Sequence, residues 1–456
     1  KNVIIRNLYE EMEGYKEPLL LDTPIKKIPL NELTNGLPFD KRKGYNAYRV
    51  YENGVYIKYI SFRKDGSLEF IDYFNENRYR TRREVYDLWG NIKKVVYMDY
   101  QLNKPRQIIY YNNNNNAFFT QWNNPKNDSV QRIILFNNDK EISKTYVNDN
   151  ISHKVDWLYN VVDNLENDKI VIVSDTRSTD DVLIKFSHPK AAKIWRLHSS
   201  HLSSPYTLDS PVSEKVENGL KNIDAFDAAI FLTEEQKRDV QKRIGKKSNL
   251  HVIPHYHEKT KNLMNIIRKP NKDLRLAIVV SRLSTLKRID HVVKAFEKVI
   301  SKIPDARLEI WGEGTEKDSL NQLIKSLKLE NNVFLKGYTH NPDVVYEKGL
   351  FSILTSKSEG FALSVLESMY NRTPVISYNI RYGPSDMIQN NDNGFLIDNG
   401  DIDELAKKMI YLFQNPSEAI EMGEKAKKYI QTNFSKKIYK EKWLETVNFA
   451  LKNKFD

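Results

Sequence analysis

The chain has 456 residues, 40% of them hydrophobic and 29% charged, with a formal net charge of +11. That length exceeds what one hydrophobic core usually supports, so two or three domains are expected. Cysteine is absent, which excludes a disulfide framework, thiolate catalysis and Cys-ligated zinc. Apolar runs such as "LRLAIVV" and "GLFSILT" fall far short of the roughly 18 to 20 residues a membrane span needs, and no cleavable leader pattern opens the sequence, so a cytoplasmic protein is expected.

Residues 1 to 12, "KNVIIRNLYEEM", read as an amphipathic helix, and "EPLLLDTP" after it as a short buried strand. From residue 45 the period changes to two. "YNAYRVYENGVYIKYISFRKDGSLEFIDYF" is a series of strands punctuated by Glu-Asn-Gly and Lys-Asp-Gly-Ser turn signals, and "DLWGNIKKVVYMDYQLNKPRQIIYY" continues it. Residues 41 to 148 are therefore expected to form an antiparallel meander, with the asparagine run at 112 to 116 as a polar loop. Residues 41 to 150 carry 19 Lys and Arg against 12 Asp and Glu, and 13 of the 26 tyrosines. A basic, Tyr-rich surface suits a polyanion such as a phosphate polymer, an acidic peptide or an anionic membrane face. The plainer alternative is a solvated face whose tyrosines serve as strand residues.

After residue 150 apolar runs alternate with helical stretches. "DKIVIVSD", "AAKIWRLHSS", "DAAIFLTEEQ" and "NLHVIPHY" are followed by a polar linker, "HEKTKNLMNIIRKPNKD", that contains Pro270. A second set follows: "LRLAIVVSR", "RLEIWGEG", "NVFLKGY", "FSILTSK", "TPVISYN" and "GFLID". Short apolar strands separated by helices predict parallel sheets covered on both faces. The expected architecture is α/β, with two facing Rossmann-like domains and an antiparallel insert in the first. The boundaries are 1–40 with 149–258 for the first domain, 41–148 for the insert and 271–435 for the second domain. A terminal helix, 436–456, is expected to pack back on the first domain. No internal repeat of 20 to 50 residues stands out.

Ligands of open parallel sheets bind at the carboxyl ends of strands. After "LRLAIVV" come Arg282, Lys287 and Arg288, cations able to straddle a diphosphate. After "RLEIW" come Gly312 and Gly314, a tight turn where backbone is expected to approach a ligand. Lys317 stands where a dinucleotide fingerprint needs its third glycine, which argues against a nicotinamide cofactor. After "FSILTS" comes "SEGFALSVLESMY", in which Glu359 and Glu367 are expected about two helical turns apart, bracketing an anion held on the amides of residues 361 to 363. Carboxylates accept hydrogen bonds from vicinal hydroxyls, so a ligand with sugars at both ends of a diphosphate fits. That describes a nucleotide sugar.

These segments, "SRLSTLKR", the Gly-x-Gly turn, "LKGYT", "SEGFALSVLESM", "TPVISYNIRYGPSDMI" and "NGFLI", together resemble the C-terminal half of glycosyltransferase family 4, which has the GT-B fold and retaining chemistry. With the β insert, the chain resembles the subgroup of wall teichoic acid α-glycosyltransferases and Ser-rich adhesin glycosyltransferases. The resemblance implies that Arg282 and Lys287 stabilise the departing nucleotide diphosphate. Glu359 would contact the donor sugar's hydroxyls and Glu367 the ribose. Backbone amides near Phe361, Ala362 and Leu363 would meet the phosphates. In "LHSSH", His198 matches the family's histidine facing the donor, with His201 in reserve. The resemblance also implies a first strand and Gly-rich loop ahead of residue 1.

The implied reaction is transfer of glucose or N-acetylglucosamine from a UDP-sugar to a polyanionic teichoic acid, or alternatively to a Ser-rich or Ser-Asp-repeat protein. No metal cofactor and no nucleic acid partner are expected. Pro254 keeps His251, His255 and His257 off one helix, which argues against a metal site there. A homo-oligomer, possible as a trimer through the insert, and a peripheral place at the inner membrane face are further implications. A non-catalytic polyanion-binding module or chaperone partner is the competing class, but it would leave the Arg, Lys and double-Glu set without a role.

Overall fold

The computed structural model describes residues 6–13, 24–258 and 272–456, in two compact units, residues 1–165 and 166–456. The expected strand over "EPLLLDTP" and most of the linker lie outside the described residues.

The first unit is built on ten antiparallel strands in sequential order, from Phe39–Lys41 to Ile142–Val147. Its last six hairpins share one device. Side chains of Asn75, Asp87, Asp99, Asn112, Asn124 and Asn137 accept amide hydrogen bonds two to four residues ahead, so a strand and turn recur every 12 or 13 residues. Asn and Asp tolerate such turns because their short side chains mimic a backbone acceptor. This repeat escapes the sequence because the intervening strands vary freely.

The sheet keeps neighbours that the sequence boundaries give to a Rossmann domain. Ile28, Leu30, Leu33 and Leu37 cover Val50, Ile60 and Ile71. Tyr9 stacks on Tyr110 with ring centroids 4.4 Å apart. His153, on helix Ser152–Asp163, packs on Phe119 and Tyr146. Residues 6–13, 24–38 and 149–165 therefore belong with the antiparallel sheet, and its unit is wider than 41–148. The physical reason is that the sheet leaves apolar side chains on both faces, and these short helices bury them.

The second unit holds two parallel sheets. The first contains Ile170–Ser174, Ala191–Arg196, Ala228–Phe231 and Leu250–Val252 in sequential order. The second has six strands in the order Val333–Gly337, Arg307–Trp311, Asp273–Val280, Gly349–Leu354, Val375–Tyr378 and Gly394–Ile397. Its order reverses between Asp273–Val280 and Gly349–Leu354, the point at which open sheets form a ligand crevice. Helices Ile289–Ile300 and Ile402–Gln414 bury Val292, Val293, Phe296, Leu405 and Met409 against this sheet. The terminal helix Lys436–Phe455 sets Tyr439, Trp443 and Val447 on the first sheet, around Ile194 and Ile230. No described helix is long and apolar enough to cross a membrane.

Candidate functional site

Two loops meet at the reversal point. One leaves strand Asp273–Val280 and carries Arg282, Lys287 and Arg288; the other leaves Gly349–Leu354 and carries Glu359. With residues from the first sheet they enclose a cleft of about 270 Å³, lined by His198, His255, Arg282, Lys287, Glu359 and the segment 360–364.

Lys287 Nζ donates to Glu359 Oε1, and the same oxygen accepts from Ser356 Oγ at 2.6 Å. Their side chains are only 18% and 14% exposed, so the pair faces the cleft rather than bulk water. Arg282 is exposed at the cleft mouth. Arg288 has another task. Its Nε donates to the Thr355 carbonyl at 2.8 Å, Nη2 to the Ser356 carbonyl at 2.7 Å, and its guanidinium lies 4.8 Å from the centre of the Tyr378 ring. It staples the two loops together and leaves the cleft to Arg282 and Lys287.

Helix Leu363–Tyr370 covers the stretch "ALSVLESMY" but for its first residue, because Ala362 takes a left-handed φ of 66° at the helix start. Glu359 lies at the junction ahead of the helix and Glu367 little more than one turn inside it. The Val365 amide already donates to the Ala362 carbonyl at 2.9 Å, so the amides of Leu363 and Ser364 are the ones at the helix start that face an anion favourably. Phe361, Ala362 and Leu363 all line the cleft. Glu367 does not. Burial pushes its pKa up and Asp343 adds to this, while His257 opposes it.

Gly312 and Gly314 differ in role from the expectation. A Cβ on Gly312 would lie 1.8 Å from the Ser281 carbonyl oxygen, and one on Gly314 2.0 Å from that of Leu283. The close approach is to the neighbouring backbone, and the glycines shape the Arg282 loop rather than touch the cleft.

Of the two histidines in "LHSSH", His198 lines the cleft and its Nε2 lies 2.7 Å from Asp175 Oδ1. Burial pushes the Asp175 carboxyl up, but the His198 hydrogen bond and the charge of Arg196 outweigh it and hold the pKa below the usual range. His201 is fully buried and stacks on Tyr382, and burial lowers its pKa to about 4. Two site residues escape the sequence reading. Asp175 is the residue immediately after strand Ile170–Ser174, a strand-end position that was the available signal. His255 stacks on His198 at 5.7 Å and meets the Phe361 ring edge-on at 5.6 Å, and burial lowers its pKa to about 4. His251 packs on Phe449 and His257 bonds Asp343, so the three histidines of "HVIPHYH" point to separate neighbours. Among the described residues no cluster of three His, Asp or Glu is arranged to hold a metal.

Residues 261–429 match the family described as glycosyl transferases group 1. The chain is 30% identical over 419 residues to a poly(ribitol-phosphate) alpha-N-acetylglucosaminyltransferase of Staphylococcus aureus, covering 91% of this chain and 80% of that protein. The chain belongs to the group 1 glycosyltransferases. It is also 30% identical over 443 residues to a poly(glycerol-phosphate) alpha-glucosyltransferase of Bacillus subtilis, covering 95% of this chain but spanning only 63% of that protein's length. Its structure is similar to that of a mutant S. aureus TarM crystallised with fondaparinux, alpha-GlcNAc-glycerol and UDP. The TM-score is 0.77 at 25% identity, with 97% of this chain and 86% of that one covered. The GT-B fold of the family accounts for the paired parallel sheets, and the antiparallel sheet lies within the matched region.

Proposed function

We propose that this chain transfers glucose or N-acetylglucosamine from a UDP-sugar to a hydroxyl of a poly(glycerol phosphate) or poly(ribitol phosphate) polymer, retaining the anomeric configuration. The observation that carries this reading is the convergence of Arg282, Lys287 and Glu359 at the reversal point, beside the open amides of helix Leu363–Tyr370. In this reading the two cations and the amides of residues 361 to 363 hold the diphosphate. Glu359 takes hydroxyls of the sugar; Glu367, half-buried and outside the lining of this cleft, is assigned those of the ribose by the family resemblance alone. His198, oriented by Asp175, faces the donor.

Glu359 is already committed to Lys287 and Ser356, so a covalent sugar intermediate on it is disfavoured. A front-face path fits better. The C1–O bond to UDP breaks as the acceptor oxygen bonds C1 from the same side, the acceptor proton passes to the departing β-phosphate oxygen, and UDP leaves. Charge growing on that phosphate is what Arg282 and Lys287 stabilise, since preorganised cations act most where charge develops. Because these side chains supply the charge, no metal is assigned, and chelation with EDTA is expected to leave the rate unchanged.

The acceptor assignment is supported by the names of the two relatives and by the basic, Tyr-rich stretch 41–150. The same stretch is a candidate surface for self-association, and UDP-sugars being cytoplasmic metabolites, the reaction is assigned to that side of the membrane. The test is a turnover assay of UDP-glucose and UDP-GlcNAc against both phosphate polymers and a Ser-rich polypeptide. Turnover with a phosphate polymer is expected, with a KM that rises steeply with salt. Turnover on the polypeptide alone would overturn the acceptor assignment.

A further inference from the structure

The segment that carries Glu359 is held from two sides. Toward the second sheet's own loop, the Glu359 amide donates to the Arg381 carbonyl at 3.0 Å and the Tyr382 amide donates to the Glu359 carbonyl at 2.9 Å. Ser358 Oγ adds a bond to the same Arg381 carbonyl at 3.0 Å. Packing there is too tight for side chains. A Cβ on Gly383 would lie 2.0 Å from the Phe361 carbonyl oxygen, and one on Gly360 2.1 Å from that of His198. Glu359 therefore goes where the backbone of Arg381 and Tyr382 goes.

That backbone is tied to the first sheet's half by the Asp239 carboxylate, which hydrogen-bonds its side chains, with Glu235 Oε1 farther off at 3.8 Å from Arg381 Nε. Asp239, on helix Glu234–Ile244, has a side chain 3% exposed. Its Oδ2 accepts from Arg381 Nε at 2.7 Å and from the Tyr382 hydroxyl at 3.1 Å. Tyr382 is fully buried, with His201 stacked on its ring at 5.8 Å. From the same helix, Gln236 Nε2 donates to the Ser199 carbonyl at 2.8 Å, one residue beyond His198. A charge-assisted, buried contact of this kind is geometrically specific.

Resting on the transferase reading above, we infer that Asp239 is a positioning residue for sugar transfer. It latches the Arg381–Tyr382 backbone so that Glu359 reaches its place only when the two halves are apposed. Asp239 lies outside the cleft lining and touches no part of the proposed donor site, so it acts through Glu359 and not on the substrate.

Two variants test this, Asp239→Asn, which keeps shape and loses charge, and Tyr382→Phe, which removes one hydroxyl. UDP affinity depends on groups of the second half alone and is expected to stay within about threefold of the wild type. The kcat of Asp239→Asn is expected to fall about 10- to 100-fold, as sub-ångström misplacement of a reacting group does, and that of Tyr382→Phe by a few-fold. Amide exchange at Glu359 is expected to quicken in Asp239→Asn whether or not substrate is present. Unchanged exchange, a wild-type kcat, or loss of UDP affinity and melting temperature in step with kcat would each overturn the latch. Quickened exchange in a protein whose wild type transfers no sugar would support the latch and count against the transferase reading.

Discussion

Lys287 contacts Glu359 and faces the cleft, so its cation serves either the donor diphosphate or only the neighbouring carboxylate. UDP separates the two, because it has no transferred sugar and would meet Glu359 only through Lys287. Replacing Lys287 with Met leaves a Glu359 carboxylate that keeps only the Ser356 hydroxyl, in a site where both partners are less than one-fifth exposed. Orphaning a fully buried charge costs about 3–5 kcal/mol, and the remaining exposure brings this nearer ~2 kcal/mol in stability. A charge-assisted hydrogen bond lost to phosphate is worth about 1.5–3 kcal/mol, or roughly 10- to 100-fold in Kd. Titration calorimetry of UDP is therefore expected to show weakened binding by Lys287→Met and near-normal or tighter binding by Glu359→Gln. The double variant is expected to regain melting temperature, since no charge is left unpaired, yet to bind UDP as poorly as Lys287→Met. Recovery of wild-type affinity in the double variant would refute the phosphate role and reduce Lys287 to a counter-ion.

Asp386 is predicted to stabilise the fold when neutralised. Burial raises its pKa to about 6, with Glu235 adding to the effect, and Oδ2 lacks a hydrogen bond. A carboxyl whose folded pKa is raised loses stability as pH rises from the ordinary carboxylate range through about 6. Asp386→Asn is expected to raise stability by up to about 2 kcal/mol at pH 7.5 and by little at pH 4, read from denaturant midpoints. Gly314→Ala would push a Cβ to 2.0 Å from the Leu283 carbonyl oxygen, and is expected to cost about 1–3 kcal/mol and weaken UDP binding by displacing the Arg282 loop. Asp175→Asn removes the charge that orients His198 and is expected to lower kcat about tenfold or more without changing UDP affinity; an unchanged kcat would remove His198 from the donor site.

Much of the second unit is legible in the sequence because a buried parallel strand reads as an unbroken apolar run, and the residue after such a run has a defined place at the sheet's carboxyl edge. Arg282, Lys287, Glu359 and His198 are found that way. What pairs with what is not legible. Lys287 and Glu359 are 72 residues apart in the chain, and Asp239 and Arg381 are 142 apart; no local pattern encodes either contact. The left-handed conformation of Ala362 at the start of helix Leu363–Tyr370 is not legible either, because an alanine takes it only against its own steric preference. The glycines at 312 and 314 announce a close approach, but what approaches is set by the sheet's order. In the first unit, alternation reveals strands, whereas the short helices that cover them carry too few apolar residues to declare their partner.

The most direct measurement is the anomeric proton of the first product formed from a UDP-α-sugar and poly(glycerol phosphate) or poly(ribitol phosphate), followed by NMR. An α-linked product appearing together with UDP is the result predicted by the front-face account. A β-linked product, or hydrolysis of the UDP-sugar without transfer to either polymer, would contradict it.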